Sequence, residues 1–237
     1  MGRTTTRSEG RNDGRKDDRD PGRTADKAPR VPLTRDRITE AALRLMDAEG
    51  LDAVSMRRVA REVGVEAMSL YNHVRDKDDL LNAVIERVMQ EFPFPESVDD
   101  DPIAYGRRLA HCWRDLLRAH PSVIQLFGER KHSGASVDSL RPMDAALSAL
   151  RRAGLSEADA AQAFHTIGSF IFGSVMMDTG QPFGSGKHSG AFPTGIEAEL
   201  PNVAACAPYL AECDLDAQFE FGLDLMLEGL RAKIGAA

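Results

Sequence analysis

Residues 55–74 read SMRRVAREVGVEAMSLYNHV. Val59 and Val63 lie four apart and share one helical face. Ala60 is small enough to let two helices cross closely. Gly64 accepts the positive φ of a sharp turn without a Cβ penalty. Leu70 and Val74, again four apart, turn a second helix back onto the first. Its outer face carries Ser69, Tyr71, Asn72 and His73, groups that hydrogen-bond or stack. A helix that enters the major groove presents such groups to base edges. A plain helical hairpin has the same spacing, so the flanks must discriminate.

Upstream, Thr34 to Glu49 reads TRDRITEAALRLMDAE. Ile38, Ala41, Ala42, Leu45 and Met46 form an apolar stripe at helical spacing. Thr34 is placed to cap this helix, with Asp36 in its first turn, and Gly50 ends it. Ser55 can cap the next helix. Asp76 can cap a fourth, KDDLLNAVIERVMQEF, with Asp78 and Asp79 at its positive end. The pattern predicts a three-helix domain over residues 32–80 and a fourth helix leading into residues 81–237.

The order EGLDAVSMRRVAREVGV then EAMSLYNHVRDKDDLL resembles the tetracycline-repressor (TetR) family of bacterial transcription regulators. Leu70 to Leu81 follow the L-Y-x-H-(V/F)-x-(N/D)-K-x-x-L-L pattern that closes the family's DNA-binding domain. The resemblance is strong over about residues 33–92. Farther on, LLRAHPSVIQLFG and GSFIFGSVMMD look like the ligand-binding half of the tetracycline-repressor subgroup. The resemblance implies an all-α fold, with an N-terminal helix-turn-helix domain and a C-terminal helical ligand-binding and dimerisation domain. It implies a homodimer that represses from a palindromic double-stranded DNA operator and is released by a small-molecule inducer.

Residue by residue, Arg57 matches a family Arg that contacts a base edge, where bidentate pairing to guanine would be its strength. Ala67, Met68, Ser69, Tyr71, Asn72 and His73 occupy the recognition surface. Among them Ser69, Tyr71 and His73 match groups that touch bases or phosphates. Lys77 matches a phosphate clamp at a helix N-terminus. Ala67, Met68 and Asn72 stand where the tetracycline repressor has Gln, Pro and Trp, so its operator is not implied.

Composition fits a soluble cytoplasmic protein. No run of about 18 apolar residues exists, so no membrane partner is expected. The N-terminus is charged and lacks the apolar region of a secretory signal. Cys112, Cys206 and Cys213 are odd in number without CxxC spacing, as befits thiols in a reducing compartment. Arg outnumbers Lys 24 to 6, which hints at a GC-rich bacterial genome.

The net charge of −7 is unevenly spread. Residues 1–77 hold 17 basic against 14 acidic side chains, and residues 78–237 hold 13 against 23. The basic groups near the motif are Arg35, Arg37, Arg57, Arg58, Arg61, Arg75 and Lys77. Residues 1–31 carry nine basic and six acidic side chains and almost nothing apolar, so a disordered tail is expected. It is either a solvated tail or an arm that follows phosphates.

Beyond Phe92 the pattern stays helical. One helix covers IAYGRRLAHCWRDLLRAH, a short one starts at Pro121, and KHSGASVDSL reads as a loop before PMDAALSALRRAG. SEAD at 156–159 is a capping box that opens a long apolar helix to about Thr179. NVAACAPYL is a short helix, and Asp214 can cap the last. The long and the final helix are apolar nearly all round, so each needs burial within the chain or against a second copy.

Enzyme motifs fail. GSGKHSG at 184–190 lacks the Gly and Ser/Thr of a phosphate loop, because Gln181 and His188 stand there. No nucleophile–base pair and no set of metal-ligand spacing occurs, so neither enzyme activity nor a cofactor is expected. A protein that binds a small molecule without any operator is the competing reading.

Trp113, Phe127, Phe164, Phe170, Met176 and Met177 fit either core or the lining of a ligand cavity, and the helical His111 and His165 can reach a ligand. The tetracycline repressor holds a magnesium–drug chelate through a His and a water-linked Glu. Leu126 and Met177 stand in those places, and neither suits a hard oxygen-seeking cation. The expected ligand is apolar or aromatic and bound without metal.

Overall fold

Three side-chain caps set the frame of the reading head. Thr34 Oγ1 accepts from the Arg37 N–H at 3.2 Å and opens α1 (Arg35–Glu49). Ser55 Oγ accepts from Arg58 at 3.3 Å and opens α2 (Met56–Val63). Asp76 Oδ1 accepts from Asp79 at 2.7 Å and opens α4 (Lys77–Gln90). Each such cap contributes about 1 kcal/mol. A 3₁₀ turn, Leu51–Ala53, bridges α1 and α2. After α2, Gly64 at φ 74° closes a paired-bond turn. The Val65 N–H returns to Ala60 O at 2.9 Å and the Gly64 N–H to Arg61 O at 3.2 Å.

The computed structural model describes residues 32–95, 101–129, 136–179, 193, 195–211 and 214–235. The charged segment 1–31, the 184–190 segment, His132, His188 and Cys213 lie outside the described residues. Every regular element among the described residues is helical. After α3 (Ala67–Leu70) and α4 come α5 (Pro102–Ala119), α6 (Val123–Glu129) and α7 (Val137–Arg152). Then follow α8 (Glu157–Thr179), α9 (Pro201–Ala211) and α10 (Leu215–Gly235).

The α1 stripe is buried as its spacing demands, with Ile38, Ala41, Ala42 and Met46 fully covered. They meet Val59 and Val63 of α2, Leu70 and Val74 around α3, and Leu80, Val84 and Val88 of α4. This core does not stop at residue 80. It runs along α4 to Leu109 and Leu116 of α5, Val123 and Leu126 of α6, and Ala149 of α7. A second core joins α5, α8 and α10 through Leu117, Ile171, Val175, Phe219, Leu223 and Leu227. A third, around Leu150, Leu155, Ala160 and Ala163, fastens α7 to the start of α8.

Three elements differ from the sequence reading. α3 is regular over only four residues. Beyond it the chain tightens, with the Tyr71 N–H on Met68 O at 3.3 Å and the His73 N–H on Leu70 O at 2.9 Å. The Val74 N–H still reaches Leu70 O at 3.0 Å, so Leu70 and Val74 face the core together despite the short helix. α7 begins at Val137, inside the stretch read as a loop. Ser136 caps it through Ser139, and Pro142, where the stretch read as helical begins, sits inside it. α6 begins two residues after Pro121. The boxes at α8 and α10 match the reading: Ser156 Oγ accepts from Asp159 at 3.1 Å, and Asp214 Oδ1 from Asp216 and Ala217 at 3.0 and 3.1 Å.

Candidate nucleic-acid interface and ligand cavity

Arg57, Met68, Tyr71, Asn72 and Lys77 are exposed, while Ala67, Ser69 and His73 are half-buried. Met68 is 74% exposed and Tyr71 46%, although both could have been folded inward as apolar groups. Burying Leu70 and Val74 forces their neighbours on this short segment outward. Ala67 packs its methyl against the first core and shows solvent only its edge.

Several basic groups serve the scaffold. The Arg35 guanidinium donates to His73 O at 3.0 Å and to both oxygens of Asp79 at 2.8 and 3.0 Å. It therefore fastens the end of the reading segment and the start of α4 to α1. Asp79 also accepts from the Arg75 N–H at 2.9 Å. The Arg35 hydrogen bond, helped by the Arg75 N–H and both positive charges, holds the Asp79 carboxyl down at about 2. Arg37 donates to Val63 O at 3.0 Å, at the end of α2. Arg58 pairs with Glu49, which raises the guanidinium's affinity for its proton and lowers that of the carboxyl. Arg57, Arg61, Arg75 and Lys77 are exposed, Arg75 also lying 3.8 Å from Asp79.

A cavity of about 300 Å³ lies among α4, α5, α6, α7 and α8. Its aromatic wall is a ring cluster in which Phe127 meets Trp113 at 6.3 Å and Phe172 at 5.7 Å. Ile85 and Met89 bring α4 into the wall, and Leu140 and Met143 bring α7. Ser139, His165 and Ser169 are its polar side chains. His165 and Ser169 are exposed on α8, so hydrogen-bonding groups rim an otherwise apolar chamber. Such a chamber takes a molecule with a greasy or aromatic body and a few polar edges.

Of the expected ligand residues, Trp113, Phe127, Phe164 and His165 line this cavity. Five do not. Leu126 is fully buried in the first core. Phe170 stacks on Phe219 at 5.3 Å, nearly parallel. His111 lies 3.2 Å from Glu220 and edge-on to Phe219. Met176 and Met177 are half-buried near the end of α8, outside the lining. Helical rotation explains α8: Phe164, Gly168 and Phe172 follow each other at four-residue steps, while Phe170 points half a turn away. Ile85, Met89, Gly168, Ser169 and Phe172 also line it and were not expected from the sequence as ligand residues. Met89 belongs to the first core and Ile85 packs against it, so their spacing gave no signal that set them apart from core.

A charged cluster joins three helices. Arg114 of α5 donates to Asp178 Oδ2 of α8 at 3.0 Å and to Leu215 O of α10 at 3.3 Å. Its guanidinium also lies 4.3 Å from the centre of the Phe219 ring. Arg118 reaches the same Asp178 oxygen at 3.2 Å, and both arginines contact Asp216. The two arginines hold the Asp216 carboxyl below its ordinary value. Among the described residues no group of three His, Cys, Asp or Glu side chains could hold a metal ion. Nor is any described helix long and apolar enough to cross a membrane.

Residues 38–84 match the family described as bacterial regulatory proteins, tetR family, and residues 94–234 the tetracyclin repressor-like C-terminal domain. The chain belongs to the TetR family. It is similar to the HTH-type transcriptional repressor DrrR1 of Streptomyces coeruleorubidus, 30% identical over 91% of this chain and 83% of that repressor. The crystal structure of apo ActR from Streptomyces coelicolor superposes with a TM-score of 0.74, at 31% identity over 87% of this chain and 99% of that one. ActR in complex with actinorhodin gives 0.72, at 29% identity over 86% and 100%. This TetR-family chain is a ligand-responsive DNA-binding repressor, and the relatives it resembles are transcriptional regulators.

Proposed function

We propose that this repressor sits on a palindromic operator as a homodimer through Arg57, Ala67, Met68, Ser69, Tyr71, Asn72, His73 and Lys77. A small apolar or aromatic molecule in the α4–α8 cavity releases it, with no metal and no cofactor. One observation carries the reading: α4 presents Lys77 at the reading end and Ile85 and Met89 in the cavity wall. A molecule that displaces the wall therefore acts on the helix that positions the phosphate clamp. ActR, similar over most of the chain, has been seen with actinorhodin in place, which supports a small organic effector here. No carboxylate is among the residues that line the cavity, which supports binding without magnesium.

Pairing of two copies is supported by α10, where Phe221 and Leu225 are 66% and 56% exposed. A second copy covering them would make a twofold dimer, and half-sites one turn of duplex apart require its two reading segments about 34–36 Å apart. The protein acts in the cytoplasm and carries out no reaction of its own.

The test is a gel shift with the DNA upstream of the protein's own gene. The dimer should bind that fragment more tightly than random DNA. An effective inducer should weaken binding roughly 5–150-fold. If the dimer ignores the fragment at low salt, the alternative of a small-molecule-binding protein without an operator takes over.

A further inference from the structure

His120 ends α5, and its ring stands between two carboxylates on different helices. Nδ1 lies 2.9 Å from Asp47 Oδ2 near the end of α1, and Nε2 lies 3.1 Å from Glu91 Oε2 just past α4. Glu91 is held in turn by Arg87 at 2.7 Å. The His120 side chain is 14% exposed, while Asp47 and Glu91 are 30% and 35% exposed, so the ring is largely enclosed and the carboxylates meet solvent. Both contacts are hydrogen bonds at once only when both ring nitrogens carry hydrogen.

The location gives the bridge its meaning. Leu117, three residues before His120, lines the ligand cavity, and so does Met89, two residues before Glu91. Asp47 belongs to α1, the helix that Arg35 fastens to the reading segment. We propose that the Asp47–His120–Glu91 bridge is the positioning contact that holds the reading head against the ligand-binding helices, so that movement of the cavity wall reaches α1 as well as α4. This rests on the reading of the chain as a ligand-released DNA binder. It adds a second route to the head, through α1, beside the α4 lever. A coupling element must present different contacts in different states, and a bridge that spans three helices can be broken on one arm while the other holds.

The experiment uses the full-length dimer and four variants: Asp47→Asn, His120→Ala, His120→Asn and His120→Gln. An Asn amide can donate along the Nδ1 arm to Asp47, and a Gln amide along the Nε2 arm to Glu91. Backbone hydrogen exchange is followed by mass spectrometry, with thermal midpoints and affinity for the upstream fragment measured in parallel. In His120→Ala, His120→Gln and Asp47→Asn, exchange over residues 35–49 and 67–76 should quicken by at least about fivefold, with DNA affinity shifted by a similar factor. Exchange in α8 and α10 should stay at the parental rate, and His120→Asn should behave as the parent.

The proposal is overturned if His120→Ala exchanges and binds within about twofold of the parent. Acceleration spread evenly over α8 and α10 also overturns it, because that marks a merely structural residue. So does His120→Asn behaving as His120→Ala. A parent that binds no DNA overturns the functional reading instead, and the exchange pattern alone then judges the bridge.

Discussion

Arg35 spans both carboxylate oxygens of Asp79, 44 residues away, and with the same guanidinium donates to the carbonyl of His73. One side chain of α1 thus fixes the exit of the reading segment and the first turn of α4. Charge-assisted bonds of this kind contribute about 1.5–3 kcal/mol. Arg35 is 42% exposed, so screening brings the expected cost of Asp79→Asn to about 1–2 kcal/mol. The Asp79 carboxyl is held down at about 2, below its unfolded value of 3.8. Its contribution is therefore complete above pH 4 and is lost as pH falls from about 4 toward 2. Urea titrations at pH 6 and pH 3 check this: the parent should lose stability between them, and Asp79→Asn should lose less.

Removing Arg114 leaves Asp178, 6% exposed, facing Arg118 alone. Arg114→Met should cost about 3 kcal/mol, the lower end for a broken buried pair, because Arg118 still answers the charge. Arg114→Met combined with Asp178→Leu should recover most of that loss. Equilibrium denaturation of the single and double variants decides; equal destabilisation would show that packing, not charge, governs the site.

Gly64 stands at φ 74° with open space where a Cβ would go. The penalty for Gly64→Ala is then backbone strain alone, about 1–2 kcal/mol. Gly222 presents the opposite case. An added Cβ would lie 2.6 Å from the Phe170 ring, which is itself stacked on Phe219. Gly222→Ala should cost about 1–3 kcal/mol by overpacking. A second-site Phe170→Leu should relieve Gly222→Ala in thermal melts and leave Gly64→Ala untouched.

On DNA, Arg57→Ala should cost about 1–3 kcal/mol at one base pair and relax preference there. Lys77→Ala should weaken all sequences alike and lower the salt slope by about one. Binding titrations against operator and scrambled duplexes at several salt concentrations separate the two behaviours. Parental binding by both variants would remove these residues from the interface.

The head was legible because its signals are local. Thr34, Ser55 and Asp76 each accept from the N–H three residues on, Gly64 takes the positive φ its position suggested, and Gly50 ends α1 as expected. The cavity was legible only in part. α8 is apolar nearly all round, so periodicity could not say that Phe172 faces the chamber and Phe170 faces Phe219. Ile85 and Met89 look like ordinary core until α7 is placed beside them. Contacts such as Arg114 with Asp178, 64 residues apart, leave no trace in a single sequence. The four-residue length of α3 was hidden as well, since Leu70 and Val74 keep their spacing whether the turn between them is α-helical or tighter.

Met89 and Lys77 sit on one unbroken rod, twelve residues apart. At 1.5 Å per residue the span is about 18 Å, and a pivot of about 5° at the wall carries the far end about 1.6 Å. That is more than half the length of a hydrogen bond to a phosphate oxygen, and a twofold-symmetric pair doubles the mismatch across the duplex. On the proposed function, an effector that turned this rod would spoil the fit to the duplex without unfolding the head.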